Sequence, residues 1–229
     1  MKKFLIISAV LFCMLNGCEK PSSDLDSITG LQNELNLLTK SAVSPLIDNS
    51  SCNISNPYDQ WGEMLYLGIR KALSENAKRI LTVADFKSRL LEVMPKEYSV
   101  IDTVGVNMKK INILYKEFLS LYVNRNIFEA LQISKKMEKS VSQSNNISNL
   151  DKSCLLKMVS ILRYTSYVCF SGGSKSVDGS FEKCWKRKLQ EMENSGFFER
   201  LACALDWPIC FGAMLADCGI EELKEHVLN

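Results

Sequence analysis

Cysteine is the residue type in this chain best suited to chemistry, and there are nine of them. Thiolates bind metals and act as nucleophiles, and pairs of thiols form disulfide bonds. No two of the nine stand in a C-x-x-C arrangement, and His226 is the only histidine. The spacing therefore does not support a zinc site, a thioredoxin-type exchange site or attachment of a c-type haem, and we expect neither a metal nor a cofactor.

Disulfide formation is the chemistry that we expect of five cysteines near the C-terminus. These candidates are Cys169, Cys184, Cys203, Cys210 and Cys218. Cys169 and Cys184 flank a loop rich in glycine and serine, which makes them easy to join, and the other three could bridge around a break at Pro208. Cys154 and Cys169 would lie about 22 Å apart on one predicted helix, too far for a bond.

Acid–base catalysis has few candidates. A Ser–His–acid or Cys–His set would have to use His226, which lies three residues from the C-terminus and has the position of a solvated residue in a last helical turn. Carboxylate pairs occur at Asp59 with Glu63 and at Glu221 with Glu222, but pairs like these arise by chance among 26 acidic residues. We therefore predict no catalytic residue.

The N-terminus has the pattern of an export signal. Lys2 and Lys3 precede an apolar run from Phe4 to Leu15. A basic start followed by a short apolar core is typical of secretory signal peptides. The run is shorter than the roughly 20 apolar residues that a membrane-spanning helix needs. We therefore predict that the first residues of the chain are removed on export.

The end of that run, Leu15-Asn16-Gly17-Cys18, resembles the lipobox of bacterial lipoproteins, with Asn16 where a small residue is usual. The resemblance implies cleavage after Gly17 and lipidation of Cys18 by fatty acids such as palmitate. Because Glu19 rather than aspartate follows, it favours the outer over the inner membrane, with the protein facing the periplasm or the cell exterior. The alternative is an ordinary secretion signal, in which Cys18 stays a plain thiol.

The net charge and the number of cysteines that remain after removal of the signal peptide narrow the possible functions. Without residues 1–17 the chain has 26 basic and 26 acidic residues, since Lys2 and Lys3 account for two of the 28 basic ones. Nucleic-acid binding needs a basic surface, and a net charge of zero does not favour it. Seven cysteines remain after Cys18, an odd number, so at least one is free or pairs with another chain.

Apolar residues recur at helical spacing almost throughout residues 57–229, and no segment alternates long enough to predict a strand. We predict an all-α fold: an irregular bundle of about eight helices built from αα-hairpins and supported by disulfides. Residues 1–17 form the signal peptide, residues 18–56 a polar tether with a possible short amphipathic helix, and residues 57–229 a single helical domain.

Individual helices can be located by their spacing. Asn56-Pro57 predicts a capping residue before the first helical position. Ile101–Val123 predicts the clearest helix, with one apolar seam that packs against the following helix as a hairpin. Leu150–Phe170 is apolar on most sides, which indicates a central helix. The sequence Trp207-Pro208-Ile209-Cys210-Phe211 predicts either a kinked, disulfide-held hairpin or an apolar patch for a partner.

These features predict a membrane-anchored, exported lipoprotein of the cell envelope whose helical domain binds an unidentified protein partner without catalysis. The anchor, the helical hairpins, the neutral charge and the lack of a catalytic set support this interpretation. The alternative is a small cell-envelope enzyme that uses paired carboxylates, in the manner of a wall-glycan hydrolase.

Overall fold

Nine α-helices account for most of the chain that the computed structural model describes, namely residues 29–35, 37, 51–75, 82–171 and 180–228. Because these ranges contain no β-strand, the predicted all-α class is confirmed. The helices are α1 (Gln60–Ser74), α2 (Val83–Val93), α3 (Met108–Asn124), α4 (Ile127–Gln143), α5 (Asn149–Ser171), α6 (Ser180–Asn194), α7 (Phe197–Leu205), α8 (Trp207–Cys218) and α9 (Ile220–Leu228).

The longest helix, α5, lies at the centre of the bundle, as its apolar pattern predicts. It has 23 residues and packs against α1, α3, α4, α6, α8 and α9. Every residue from Met158 to Ser166 is buried. That stretch includes a single charged residue, Arg163, whose surroundings form the candidate site described below.

Helix α3 begins later than the predicted helix Ile101–Val123. It starts at Met108 because Gly105 has a φ of +75°, which a helix does not allow, and because the Asn107 side chain caps the first turn. Val104, with which we expect the apolar seam to begin, lies before this start and is 80% exposed. Of the later seam residues, Met108 is half-buried, and the others are buried as predicted: Ile111, Tyr115, Phe118 and Tyr122.

Part of the segment predicted as a tether contacts the helical domain. Residues 29–35 are helical, and Leu31 and Leu35 are buried in the common core. Gln32 donates a hydrogen bond to Glu117 on α3 at 2.8 Å. Within these residues, one face of a short helix therefore packs on the bundle.

The bend between α7 and α8 is the kink predicted around Pro208. The two helices meet at 96°, and α7 ends at Leu205, so the break precedes the proline rather than coinciding with it. Proline occupies the first turn of α8, where its missing N–H group costs no helical hydrogen bond. None of the described helices is by itself long and apolar enough to cross a bilayer, although this bent pair reaches that length and composition together.

Four of the five candidate cysteines form disulfide bonds. Cys184 on α6 is joined to Cys218 at the end of α8, and Cys203 is joined to Cys210 across the bend. Cys169 is a buried free thiol, so the pair Cys169–Cys184 does not form. Cys169 lies on α5 and is buried in the core of the bundle, where its Sγ donates to the carbonyl oxygen of Thr165.

Candidate functional site

A buried arginine is the centre of the most polar part of the core. The side chain of Arg163 has no exposed surface, and a charge in that position requires counter-charges and hydrogen bonds. Its Nε donates to Oε1 of Glu138 on α4 at 2.8 Å, and its Nη2 donates to Oε2 of Glu138 at 3.1 Å. Nη2 also donates to Oδ1 of Asp59, the residue before α1. One guanidinium therefore joins α5, α4 and the start of α1.

Glu138 is as deeply buried as the arginine, and both of its oxygens accept additional hydrogen bonds. Oε2 accepts from the side-chain amides of Asn53 and Asn56 at 3.0 Å and 2.8 Å. Oε1 accepts from the hydroxyl of Ser134 at 3.0 Å. Hydrogen-bond donors therefore occupy both oxygens of this carboxylate, which is the condition for a stable buried charge.

The segment before α1 is held to the bundle by the same groups. Asn53 and Asn56 also donate to the carbonyl oxygens of Lys135 and Leu156, at 3.4 Å and 3.0 Å. Oδ2 of Asp59 accepts from the backbone N–H of Asn53 and from the hydroxyl of Tyr164, both at 3.1 Å. We call this network the Arg163 cluster. Its members are Asn53, Asn56, Asp59, Ser134, Glu138, Arg163 and Tyr164.

The start of α1 crosses α5 at very short range beside the cluster. The backbone N–H of Gly62 donates to Oγ of Ser160 at 3.1 Å, and that hydroxyl donates to the carbonyl oxygen of Asp59 at 2.8 Å. A side chain at position 62 would overlap Ser160 and Tyr164. Glycine therefore allows the two helix backbones to approach closely enough for these hydrogen bonds.

The charges of the cluster keep Arg163 protonated in the core. Burial alone lowers the pKa of a guanidinium, but the carboxylates of Glu138 and Asp59 outweigh that effect and hold the pKa of Arg163 above its ordinary value. Burial raises the pKa of the Tyr164 hydroxyl, and the neighbouring charge of Asp59 raises it further. Tyr164 is therefore a neutral hydrogen-bond donor to Asp59.

Cys52 is the accessible thiol at the edge of the cluster. Its side chain is exposed, whereas the other free thiols of the described residues, Cys154 and Cys169, are buried. Partial burial of the sulfur raises the pKa of Cys52, and the charge and hydrogen bond of Asp59 raise it further. The thiol is therefore mostly protonated at neutral pH, which is unfavourable for a nucleophile.

We expect Cys52 to react slowly with iodoacetamide despite its exposure. The reaction rate at Cys52 is followed by mass spectrometry of its peptide and should rise with pH. The midpoint of this rise should lie above the value of about 8.5 for an unperturbed thiol. In urea-unfolded protein the midpoint should return to that value, because the partial burial of the sulfur and the neighbouring charge of Asp59 are then lost. A midpoint at or below about 8.5 in the folded protein would contradict the combined effect of burial and Asp59.

The structure brings together a different carboxylate pair from those the sequence indicated. Asp59 faces Arg163, whereas Glu63 is exposed on the first turn of α1. The partner of Asp59 in the cluster is Glu138, and all four carboxylate oxygens accept hydrogen bonds. Every oxygen of this pair is therefore engaged within the cluster, and Glu138 has no exposed surface through which to meet a substrate.

The structure does not describe the side chains of the other candidate residues predicted from the sequence. Cys18 lies outside the described residues, as do the side chains of Glu221, Glu222 and His226. Within the described part of the chain, no group of three or more His, Cys, Asp or Glu side chains is arranged to hold a metal ion.

The sequence held one unused indication of the cluster. Arg163 interrupts the most apolar stretch of the predicted central helix, and an arginine there needs a buried acid as its partner. The identity of that acid could not be predicted, because Glu138 and Asp59 are 25 and 104 residues away.

In comparisons with known proteins, no family model, no curated protein and no solved structure matches this chain.

Proposed function

We propose that this chain is an exported lipoprotein, anchored in the outer membrane through Cys18, whose helical domain binds a protein partner in the cell envelope without catalysing a reaction. The lipobox resemblance of residues 15–18 supports the anchor. The acyl chains of a lipidated cysteine would retain the protein at the membrane, since each buried CH₂ contributes about 0.8 kcal/mol.

The non-catalytic role rests on one observation: the charged groups of the Arg163 cluster are hydrogen bonded within the cluster. Its two carboxylates and its guanidinium are bonded to one another and to neighbouring amides and hydroxyls, and Glu138 and Arg163 have no exposed surface. A catalytic acid or base must reach its substrate. The cluster is instead suited to fixing the segment before α1, which belongs to the predicted tether, against α4 and α5.

The helices α7 and α8 offer an apolar surface for a partner. Phe198 on α7 and Ile209 on α8 are 56% and 37% exposed, on either side of the disulfide-held bend. Phe198 contacts the ring of Phe197 edge-on, with ring centroids 5.0 Å apart. Exposed aromatic side chains are frequent anchors at protein interfaces.

The anchor and the partner are tested in one set of cells. We expect the wild-type chain to sediment with membranes and to incorporate a fatty-acid label, and Cys18→Ser to lose both properties, whereas the control Cys52→Ser keeps them. A photo-crosslinking amino acid at position 198 should yield a discrete adduct with an envelope protein, and the same probe at exposed Glu97 should yield none. Unlabelled, unprocessed wild-type protein would disprove the anchor. Equal crosslinking at both positions would disprove the binding surface.

A further inference from the structure

Three sulfur atoms meet where α7 joins α8. The Sδ of Met214 lies 4.0 Å from Sγ of Cys203 and 3.9 Å from Sγ of Cys210. Met214 follows Cys210 by one helical turn, so both lie on the same face of α8. The 96° bend brings Cys203 of α7 to that face, with 5.2 Å between the Cα atoms of the two cysteines.

This spacing is close to that of a three-coordinate sulfur site. When a metal lies in the plane of three sulfur ligands at about 2.3 Å, the sulfurs are about 4 Å from one another. The two distances from Met214 already have this value. The third distance, between the two cysteines, is short only because the disulfide joins them. Thiolates combined with a thioether favour Cu(I) among the biological metals.

We propose that Cys203, Cys210 and Met214 form a Cu(I) site that opens when the Cys203–Cys210 disulfide is reduced. Two molecules of a small thiol supply two electrons and two protons, become one disulfide, and leave two protein thiols. Cu(I) then displaces the two thiol protons, which pass to the solvent, and takes Met214 as its third ligand. Both cysteines are partly exposed, so a reductant and the metal can reach them, whereas Met214 is 9% exposed.

The other sulfur groups of the described residues lack this combination. Cys184 of the second disulfide has the guanidinium of Arg187 at 3.9 Å, and a positive charge opposes the binding of a cation. Cys154 has the thioether of Met158 at 3.8 Å, but both residues are buried and the pair contains one thiol. Met158 therefore provides a matched control for Met214, since each follows a cysteine by four residues.

The site is tested by the Cu(I) affinity of the full-length protein after reduction with a phosphine. This affinity is measured anaerobically by competition with bicinchoninate. We expect Met214→Leu to weaken binding by at least about tenfold, because even residues outside the ligand shell contribute about 10- to 100-fold. Met158→Leu should bind as tightly as wild type, and Cys203→Ser with Cys210→Ser should abolish the tight site. X-ray absorption at less than one copper per chain should show three sulfurs at about 2.3 Å.

Other outcomes would overturn the inference. Equal Cu(I) affinity in wild type and Met214→Leu would show that the thioether is not a ligand. Tight binding by the oxidised protein would show that the disulfide does not close the site, and tight binding by the double serine variant would place the metal elsewhere. Circular dichroism of each variant confirms its fold, and the absorption spectrum of wild type tests the ligands without any substitution.

Discussion

Replacing Arg163 by methionine is expected to lower the free energy of unfolding by about 3–5 kcal/mol, the usual cost of removing one partner from a buried ion pair. The substitution leaves the Glu138 carboxylate, which has no exposed surface, without its charged partner, while the amides of Asn53 and Asn56 still face it. It also removes the ion pair between α5 and Asp59, which then keeps only the hydrogen bonds from Tyr164 and Ser160 on that helix. Urea unfolding followed by circular dichroism measures the change directly.

The same substitution at an exposed arginine is the control for this prediction. Arg187 on α6 lies 4.0 Å from Glu191, and both side chains are more than half exposed. Exposed pairs contribute roughly 0–1 kcal/mol, so Arg187→Met should unfold almost as wild type does. A second variant, Arg163→Met with Glu138→Gln, removes both charges and should be more stable than Arg163→Met alone. Equal stability of Arg163→Met and wild type would show that the Arg163 cluster does not support the fold.

Gly62→Ala is expected to destabilise the protein by about 3 kcal/mol, the upper end of the usual cost of overpacking. The new Cβ would lie 2.5 Å from the carbonyl oxygen of Ser160, which is helix backbone and cannot rotate away, and would also overlap the ring of Tyr164. To relieve the overlap, α1 must move off α5. That movement breaks the hydrogen bond from Gly62 to Ser160.

The sign of the change in stability of Gly62→Ala distinguishes an effect of packing from an effect of helix propensity. Alanine is favoured over glycine inside a helix by about 1 kcal/mol, so propensity alone predicts that Gly62→Ala stabilises α1. Gly30→Ala is the matched control, because a Cβ at Gly30 meets only the Asn146 amide at an ordinary 3.9 Å. We expect thermal unfolding to show a lower Tm for Gly62→Ala and an unchanged or higher Tm for Gly30→Ala. A rise in Tm for both variants would contradict the close helix crossing.

Local sequence patterns predicted the helices better than their boundaries or their contacts. The burial of α5 followed from its apolar composition, because a helix that is apolar on most sides must be surrounded. The start of α3 did not follow, since the seam of apolar residues extends backward past Gly105, whose positive φ ends the helical conformation. Asn56 was predicted as a helix cap, but its amide binds Glu138 and α1 begins at Gln60.

The contacts that could not be predicted join residues far apart in the chain. Helical geometry correctly separated Cys154 from Cys169, because both lie on α5. It could not pair Cys184 with Cys218, since that contact depends on how α6 packs against α8. The same limit applies to the Arg163 cluster, whose residues come from the segment before α1, from α4 and from α5.

The order of the two disulfides determines what a protease can release from the C-terminal helices. The loop closed by Cys203 and Cys210 lies wholly inside the loop closed by Cys184 and Cys218, so the two rings are nested rather than interleaved. A single cut anywhere between Cys184 and Cys218 leaves two pieces that are still covalently joined. A nicked molecule therefore stays in one covalent piece, with α9 attached, until the outer disulfide is reduced, and a cut between Cys203 and Cys210 requires reduction of both disulfides.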